Sequence, residues 1–402
     1  MNLGKTRITT ALSCAALAGS GLLVGCQNEG EARPATASSS EARPHGHVEG
    51  AEEAAEQQLR LVLAGAGAAG VLDLTTGEIT SVKGSDGVTG LRTDGRFAYV
   101  SGSEGTRVID TGSWTVDHGD HTHYYRAAVR DAGSVAGHDA ARVHGDPAVT
   151  AVTSSQGSTR LFDRQELEGG AAPRGRALTG AGGGPVVPYA GHLLAAGAEA
   201  GEGAVEVLDR SGSPVASLEE PCAQARGEAV TRRGVVFGCA DGALLVSEES
   251  GEFRAEKIPY GTAVDASERA ADFRHRAGST TLVAPAGEEA VWVLDVADRS
   301  WTRVETGPVT AANTAGEGAP LLTLGEDGAL SAFDITTGKR TAHKELLAEG
   351  GAPAVIEVDT TRAYVNDAAA RKVYEIDYND RLRLARTFPL DFAPTHMVET
   401  GR

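Results

Sequence analysis

Positive charge is in short supply in this chain. Of 402 residues, 37 are Lys or Arg and 55 are Asp or Glu, a formal net charge of −18. A polyanion finds little to hold on such a surface, which argues against nucleic acid or an anionic surface as partner. The same balance is compatible with cation binding. Cysteine is scarce too, at four residues, and a zinc site made of the two that lie in the folded part, Cys222 and Cys239, would lack partners. No Gly-x-Ser-x-Gly run occurs, which removes the nucleophile elbow of the α/β-hydrolases. Beyond the N-terminal region no stretch keeps a helical period for long, whereas glycine is abundant, at 52 residues. These traits favour an all-β chain.

The first 25 residues read as an export signal. Lys5 and Arg7 form a basic start, and Ala11 to Val24 is mostly apolar and small, too short for a spanning helix. Leu23-Val24-Gly25-Cys26 resembles a bacterial lipobox, in which the cysteine becomes the lipidated first residue of the mature protein. Plain secretion with Cys26 unmodified is the alternative. Loss of Lys5 and Arg7 with the signal takes the net charge from −18 to −20. Cys14 leaves with the signal and Cys26 carries lipid, so Cys222 and Cys239 remain. In an oxidising compartment they are expected to form a structural disulfide between adjacent antiparallel strands. The protein is thus expected outside the cytoplasm, held by lipid at the outer face of the cell membrane. Residues 26–57 lack large apolar side chains and read as a flexible tether, with His45 and His47 on it in "HGH".

From residue 58 to 402 one pattern recurs eight times. A short apolar strand and a Gly-rich turn lead to a strand ending in an apolar residue plus Asp, then a further strand. The marks are Asp73, Asp110, Asp163, Asp209, Asp295, Asp334 and Asp377, with Val246-Ser247 standing in for the fifth. Their mean spacing of about 43 residues is the length of a four-stranded propeller blade. An eight-bladed β-propeller is predicted. Repeats two to eight each have a further strand in front, for example "GVTGLRT" before "RFAYV". The first has none, and "FAPTHMVETGR" at the C-terminus has the form of the missing one, so it is predicted to close the ring in the first blade. A solenoid of the same period would need capping repeats that the ends do not offer.

Histidine is where the chemistry concentrates. "TVDHGDHTHYYRA", Thr115 to Ala127, packs His118, His121 and His123 beside Asp117 and Asp120. His121 and His123 are spaced i,i+2 and share a side in an extended segment. Read as the connection from blade two to blade three, residues 117–137 should lie at the channel mouth where His138 and His396 begin inner strands. The predicted metal set is therefore His118, His121, His123, His138 and His396, with Asp120 as ligand or as the group fixing a ring tautomer. Imidazole with carboxylate suits Zn2+ best, with Cu(II) or Ni(II) as alternatives. His45 and His47 are candidates for metal capture. His275 with Asp272 is a weaker second grouping, and His144, His192 and His343 read as surface or strand residues.

On these residues the chain resembles the AztD-type zinc metallochaperones, exported β-propellers of zinc ABC transporter systems. The matching features are "HGDHTHYY", the cysteine segment "CAQARGEAV…VVFGCADGALLV", the terminal "PTHMVET" and "HGH" on the arm. The resemblance spans roughly residues 58–402. It implies a non-enzymatic protein that binds zinc and passes it to the transporter's solute-binding protein. The arm is a thin version of the family's His-rich segment, and no histidine follows Cys222 beside Gly227-Glu228. Two readings from other classes stand beside it: a propeller that binds protein or carbohydrate without metal, and a metal-dependent hydrolase or lactonase.

Overall fold

The computed structural model describes residues 48, 50–83, 87–118, 121–170, 174–197, 203–349 and 354–402. The chain divides into two units, Met1–Pro44 and His45–Arg402, and every described residue belongs to the second. Cys26, His45 and His47 lie outside the described residues, as does Asp120. No helix among those described is long and apolar enough to cross a membrane.

The unit is all-β, built of antiparallel sheets of the kind that make a β-propeller. Among the described residues, apart from one small side sheet, eight sheets follow one another, seven of them four-stranded. The two middle strands of a sheet are apolar on both faces because a neighbouring sheet covers each. Arg60–Gly65 and Gly234–Cys239 are buried throughout, whereas the outer strand Glu252–Pro259 alternates exposed with half-buried residues. Eight hydrophobic clusters lie between successive sheets. One of them joins Leu61, Leu63 and Leu72 of the first sheet to Tyr364, Val373 and Phe388 of the eighth. The C-terminal strand His396–Thr400 pairs with Arg60–Gly65 and is the inner strand of the first sheet, as the sequence predicts.

The apolar-Asp marks acquire a physical role. Asp73 Oδ1 accepts from the amides of Thr75 and Thr76 at 3.0 and 3.1 Å, and Asp334 Oδ1 from that of Thr337 at 2.7 Å. The short side chain stands in for a turn carbonyl and directs the chain into the next strand. Cys222 and Cys239 are disulfide-bonded and buried between the fourth and fifth sheets.

Two expectations need correction. The sixth sheet has three strands, Thr281–Ala286, Ala290–Asp295 and Ser300–Glu305, and no regular inner strand. There the Arg276 amide donates to Thr314 of the seventh sheet, and only an isolated bridge ties Arg274 to Val283. In the second sheet the outer strand is Arg130–Ala136, paired with Gly105–Asp110. Ser113–Asp117, predicted as that outer strand, instead pairs with Thr122–Arg126 as a hairpin inserted between the third and fourth strands. The hairpin is closed locally, where the His118 amide donates to the His121 carbonyl at 2.9 Å.

Candidate metal centre

The hairpin arranges its histidines by strand geometry. Thr122 pairs with Asp117 and His123 with Val116, so His118 and His121 face each other across the turn. His123 lies two residues beyond His121 and so projects from the same face. Ring centroids are 4.8 Å apart for His118 and His121, 4.9 Å for His121 and His123, and 5.4 Å for His118 and His123. One nitrogen from each ring lies within 4.8 Å of the others. A tetrahedral zinc with Zn–N near 2.0–2.1 Å needs nitrogens about 3.4 Å apart, a closure within reach of small side-chain rotations. His118 and His121 are exposed and His123 half-buried. Among the described residues this is the only such grouping of three or more histidine, cysteine or acidic side chains.

The hairpin has firm roots. Arg60 of the first sheet donates to the carbonyls of Thr111 and Ala127, one on each foot. Gly112, at φ +67°, stands where a Cβ would lie 2.4 Å from the Ala127 carbonyl oxygen, so the feet can approach only at a glycine. Trp114 and Tyr125 stack at 5.3 Å, and the Arg96 guanidinium lies 3.7 Å from the Trp114 ring centre. Arg96 and Arg130 both grip Asp110 at the hairpin's origin. Burial would raise the Asp110 pKa, but the Arg96 hydrogen bond and charge, with the Gly112 amide and Arg130, outweigh it and hold it below the usual value.

One element of the site is not in the predicted set. Glu52–Ala54, within the stretch read as a tether, forms a strand that pairs antiparallel with Thr122–Arg126. Glu53 Oε1 sits 2.7 Å from His123 Nδ1, and Glu52 Oε2 accepts from Arg126 Nη2 at 2.9 Å. The sequence signal was thin: an acidic run, "EGAEEAAEQQ", with nothing to show which residue would meet a histidine.

The predicted convergence with His138 and His396 does not occur, and topology explains why. In an antiparallel sheet, third-to-fourth connections leave by the face that carries first-to-second turns, and sheet-to-sheet connections leave by the other. The hairpin is a third-to-fourth connection. Its Thr115 Oγ1 donates to Gly401 O at 2.8 Å, just past the end of the C-terminal strand, and the Gly401 amide donates to Gly95 O in a first-to-second turn. His396 begins that same strand, about 13 Å away at the opposite face. His138 follows the outer strand of the second sheet, also at that opposite face. Its ring is buried, with Nε2 3.3 Å from the Val152 carbonyl oxygen.

The remaining histidines are held by the fold. His396 lines a cavity of about 180 Å³ with Arg92, Arg274, His275, Glu357 and Arg402. Burial, then the Arg92 charge, lowers its pKa. His275 Nε2 lies 3.1 Å from the Val230 carbonyl oxygen, while Asp272 pairs with Arg274. Burial and the nearby charge of Arg402 push the His275 pKa down to about 4. His144, in the strand Arg142–Gly145, reaches from the third sheet to Glu228 of the fifth, Nε2 to Oε1 2.9 Å. His192 sits edge-on to Phe253, and His343 bonds Ser331, in line with strand residues.

Fold and site together define a propeller-type protein that carries a histidine cluster on an inserted hairpin. Among solved structures, the chain matches AztD from Citrobacter koseri at a TM-score of 0.70 and 16% identity, over 86% of this chain and 98% of that one. The apo form of the same protein gives 0.69 and 15% over the same shares. Dihydro-heme d1 dehydrogenase NirN, in complex with DHE, follows at 0.53 and 15%, over 86% of this chain and 75% of that one. The chain therefore has the AztD-type fold. No family model matches the sequence, and no curated protein matches it.

Proposed function

We propose that the protein is a zinc-binding metallochaperone, with zinc as cargo, that hands the ion to the solute-binding protein of a zinc ABC transporter. The observation that carries this reading is the triad His118, His121 and His123, gathered on one exposed hairpin with a nitrogen of each within 4.8 Å of the others. Three neutral imidazoles make a borderline-soft donor set that suits zinc, and Cu(II) or Ni(II) would compete. Cys222 and Cys239 are spent in their disulfide, so no thiolate joins them. Three protein ligands leave a fourth position for water or for an incoming ligand, the feature a transfer site needs. An exposed hairpin allows a partner to approach where a buried site would not.

In this reading the eight sheets are the eight blades of a closed ring, supported by the packing of the eighth sheet on the first. The lipobox at Cys26 makes the protein a lipid-anchored one outside the cytoplasm, where zinc would be passed on. His45 and His47 on the arm are proposed as auxiliary capture groups. The similarity to a dehydrogenase rests on fold, and fold alone carries no chemistry, so no turnover is proposed. The test is zinc titration of the protein freed of signal and lipid-bearing Cys26, residues 27–402, beside the double variant His121→Ala, His123→Ala. One equivalent bound tightly, with affinity at least a thousandfold lower in the variant, is expected. Equal binding in the two proteins would remove the hairpin from the site.

A further inference from the structure

Glu53 lies on the arm strand, about 70 residues from the histidines in sequence, yet its carboxylate reaches a ring of the triad from outside the hairpin. We propose that Glu53 is a positioning residue that fixes the His123 ring for metal, and that docking of the arm strand and zinc binding are thereby coupled. The inference rests on the triad being the zinc site.

The geometry supports orientation rather than ligation. Glu53 is not among the side chains whose donor atoms converge with the triad. Its oxygen instead meets His123 Nδ1 at 2.7 Å. A carboxylate there selects the tautomer with the proton on Nδ1 and leaves the Nε2 lone pair for the ion. An ion on Nε2 withdraws electron density and makes Nδ1–H a stronger donor, so the bond to Glu53 tightens when zinc is bound. Glu53 is also the register partner of Tyr125, so it lies against the hairpin strand as well as against His123.

The arm is suited to such coupling because its docking is marginal. It pairs through three residues, Glu52 to Arg126, Glu53 to Tyr125 and Ala54 to Tyr124. The side chains of Glu52 and Glu53 are 70% and 44% exposed, so their ion pairs compete with water and contribute little alone. A strand held this weakly is near balance between docked and free, and a small change at His123 shifts it. Linkage requires the reverse: freeing the arm lowers zinc affinity by the same factor. A partner that captures the arm strand would thus loosen the cargo it is to receive.

The experiment compares full-length protein, Glu53→Ala and Glu53→Gln by zinc titration and by amide hydrogen exchange at residues 52–54 with and without zinc. Expected are a 10- to 100-fold weaker affinity for Glu53→Ala and a smaller loss for Glu53→Gln, whose amide oxygen still accepts from Nδ1–H. Zinc should slow exchange at 52–54 in the unmodified protein and not in Glu53→Ala. Unchanged affinity in Glu53→Ala, or exchange indifferent to zinc, overturns the coupling. If His121→Ala, His123→Ala abolishes binding while Glu53→Ala leaves it intact, this inference fails and the zinc reading stands. If the unmodified protein binds no zinc, both fail together.

Discussion

The histidine hairpin and the central cavity contain the same kinds of side chain in opposite settings. In the cavity each histidine is already answered by the fold: His275 by the Val230 carbonyl and His396 by Thr395. Arginines stand close by, and Arg402 helps to depress His275 to about 4. A cation entering there would meet like charge from Arg92, Arg274 and Arg402. On the hairpin three rings converge on one another, acidic residues flank them, and solvent reaches them. The contrast teaches that convergence of side chains on one another, and not enclosure, marks a candidate metal site. In the reading proposed above the hairpin carries the chemistry while the stacked sheets carry stability.

Breaking that division of labour takes a residue that belongs to both regions, and Asp110 is one. It ends the third strand of the second sheet and holds Arg96, which in turn covers Trp114 of the hairpin. Its side chain is 2% exposed. Asp110→Ala strands two guanidinium groups and should cost about 3–5 kcal/mol of stability, read by denaturant unfolding, and weaken zinc binding as the hairpin root loosens. A stable variant with unaltered zinc affinity would show that the hairpin is anchored elsewhere. Removing the disulfide sharpens the comparison from the other side. Cys222→Ser with Cys239→Ser opens a link with a sequence separation of 17 residues and should cost about 2–4 kcal/mol. Zinc affinity of the folded fraction should be unchanged, since the link lies between the fourth and fifth sheets. A fall in affinity would mean the ring and the hairpin are not separable.

Much of this division is legible in the sequence, for physical reasons. Strand alternation, Gly turns and apolar-Asp marks are local signals, and each is enforced by a local bond such as Asp73 to Thr75. The C-terminal inner strand was readable because the first repeat visibly lacks one. The triad was readable as an i,i+2 pair with a neighbour. What failed was the face on which it lies. The sequence "SWTVD" satisfies an outer strand and a hairpin strand equally well, and the choice depends on whether Arg130–Ala136 outcompetes it for Gly105–Asp110. That one exchange moves the loop to the opposite face and separates it from His138 and His396. Glu53 was hidden because its role depends on a long-range strand pairing with no periodic signature. The buried Glu399 was hidden likewise, since it lies in the short strand His396–Thr400, which reads as apolar.

Glu399 gives the smallest of these effects and the cleanest separation of the two regions. Its side chain is buried in the ring, and its Oε2 has no hydrogen-bond partner. Burial, together with the charges of Glu357 and Asp359, raises its pKa to about 8 despite Arg402 and Arg276. The folded protein therefore keeps a proton that the unfolded chain releases near pH 4.5. A raised folded-state value means the contribution to stability is complete below about pH 4.5 and is lost as pH climbs to about 8. The melting temperature should fall by a few degrees between pH 5 and pH 8, and Glu399→Gln should flatten that slope, leaving what Glu357, also raised by burial, contributes. Zinc affinity measured over the same interval is the second profile. If the ring and the hairpin are independent, Glu399→Gln alters the first profile and leaves the second untouched. A shift in both would show that a proton in the ring is felt at the metal site.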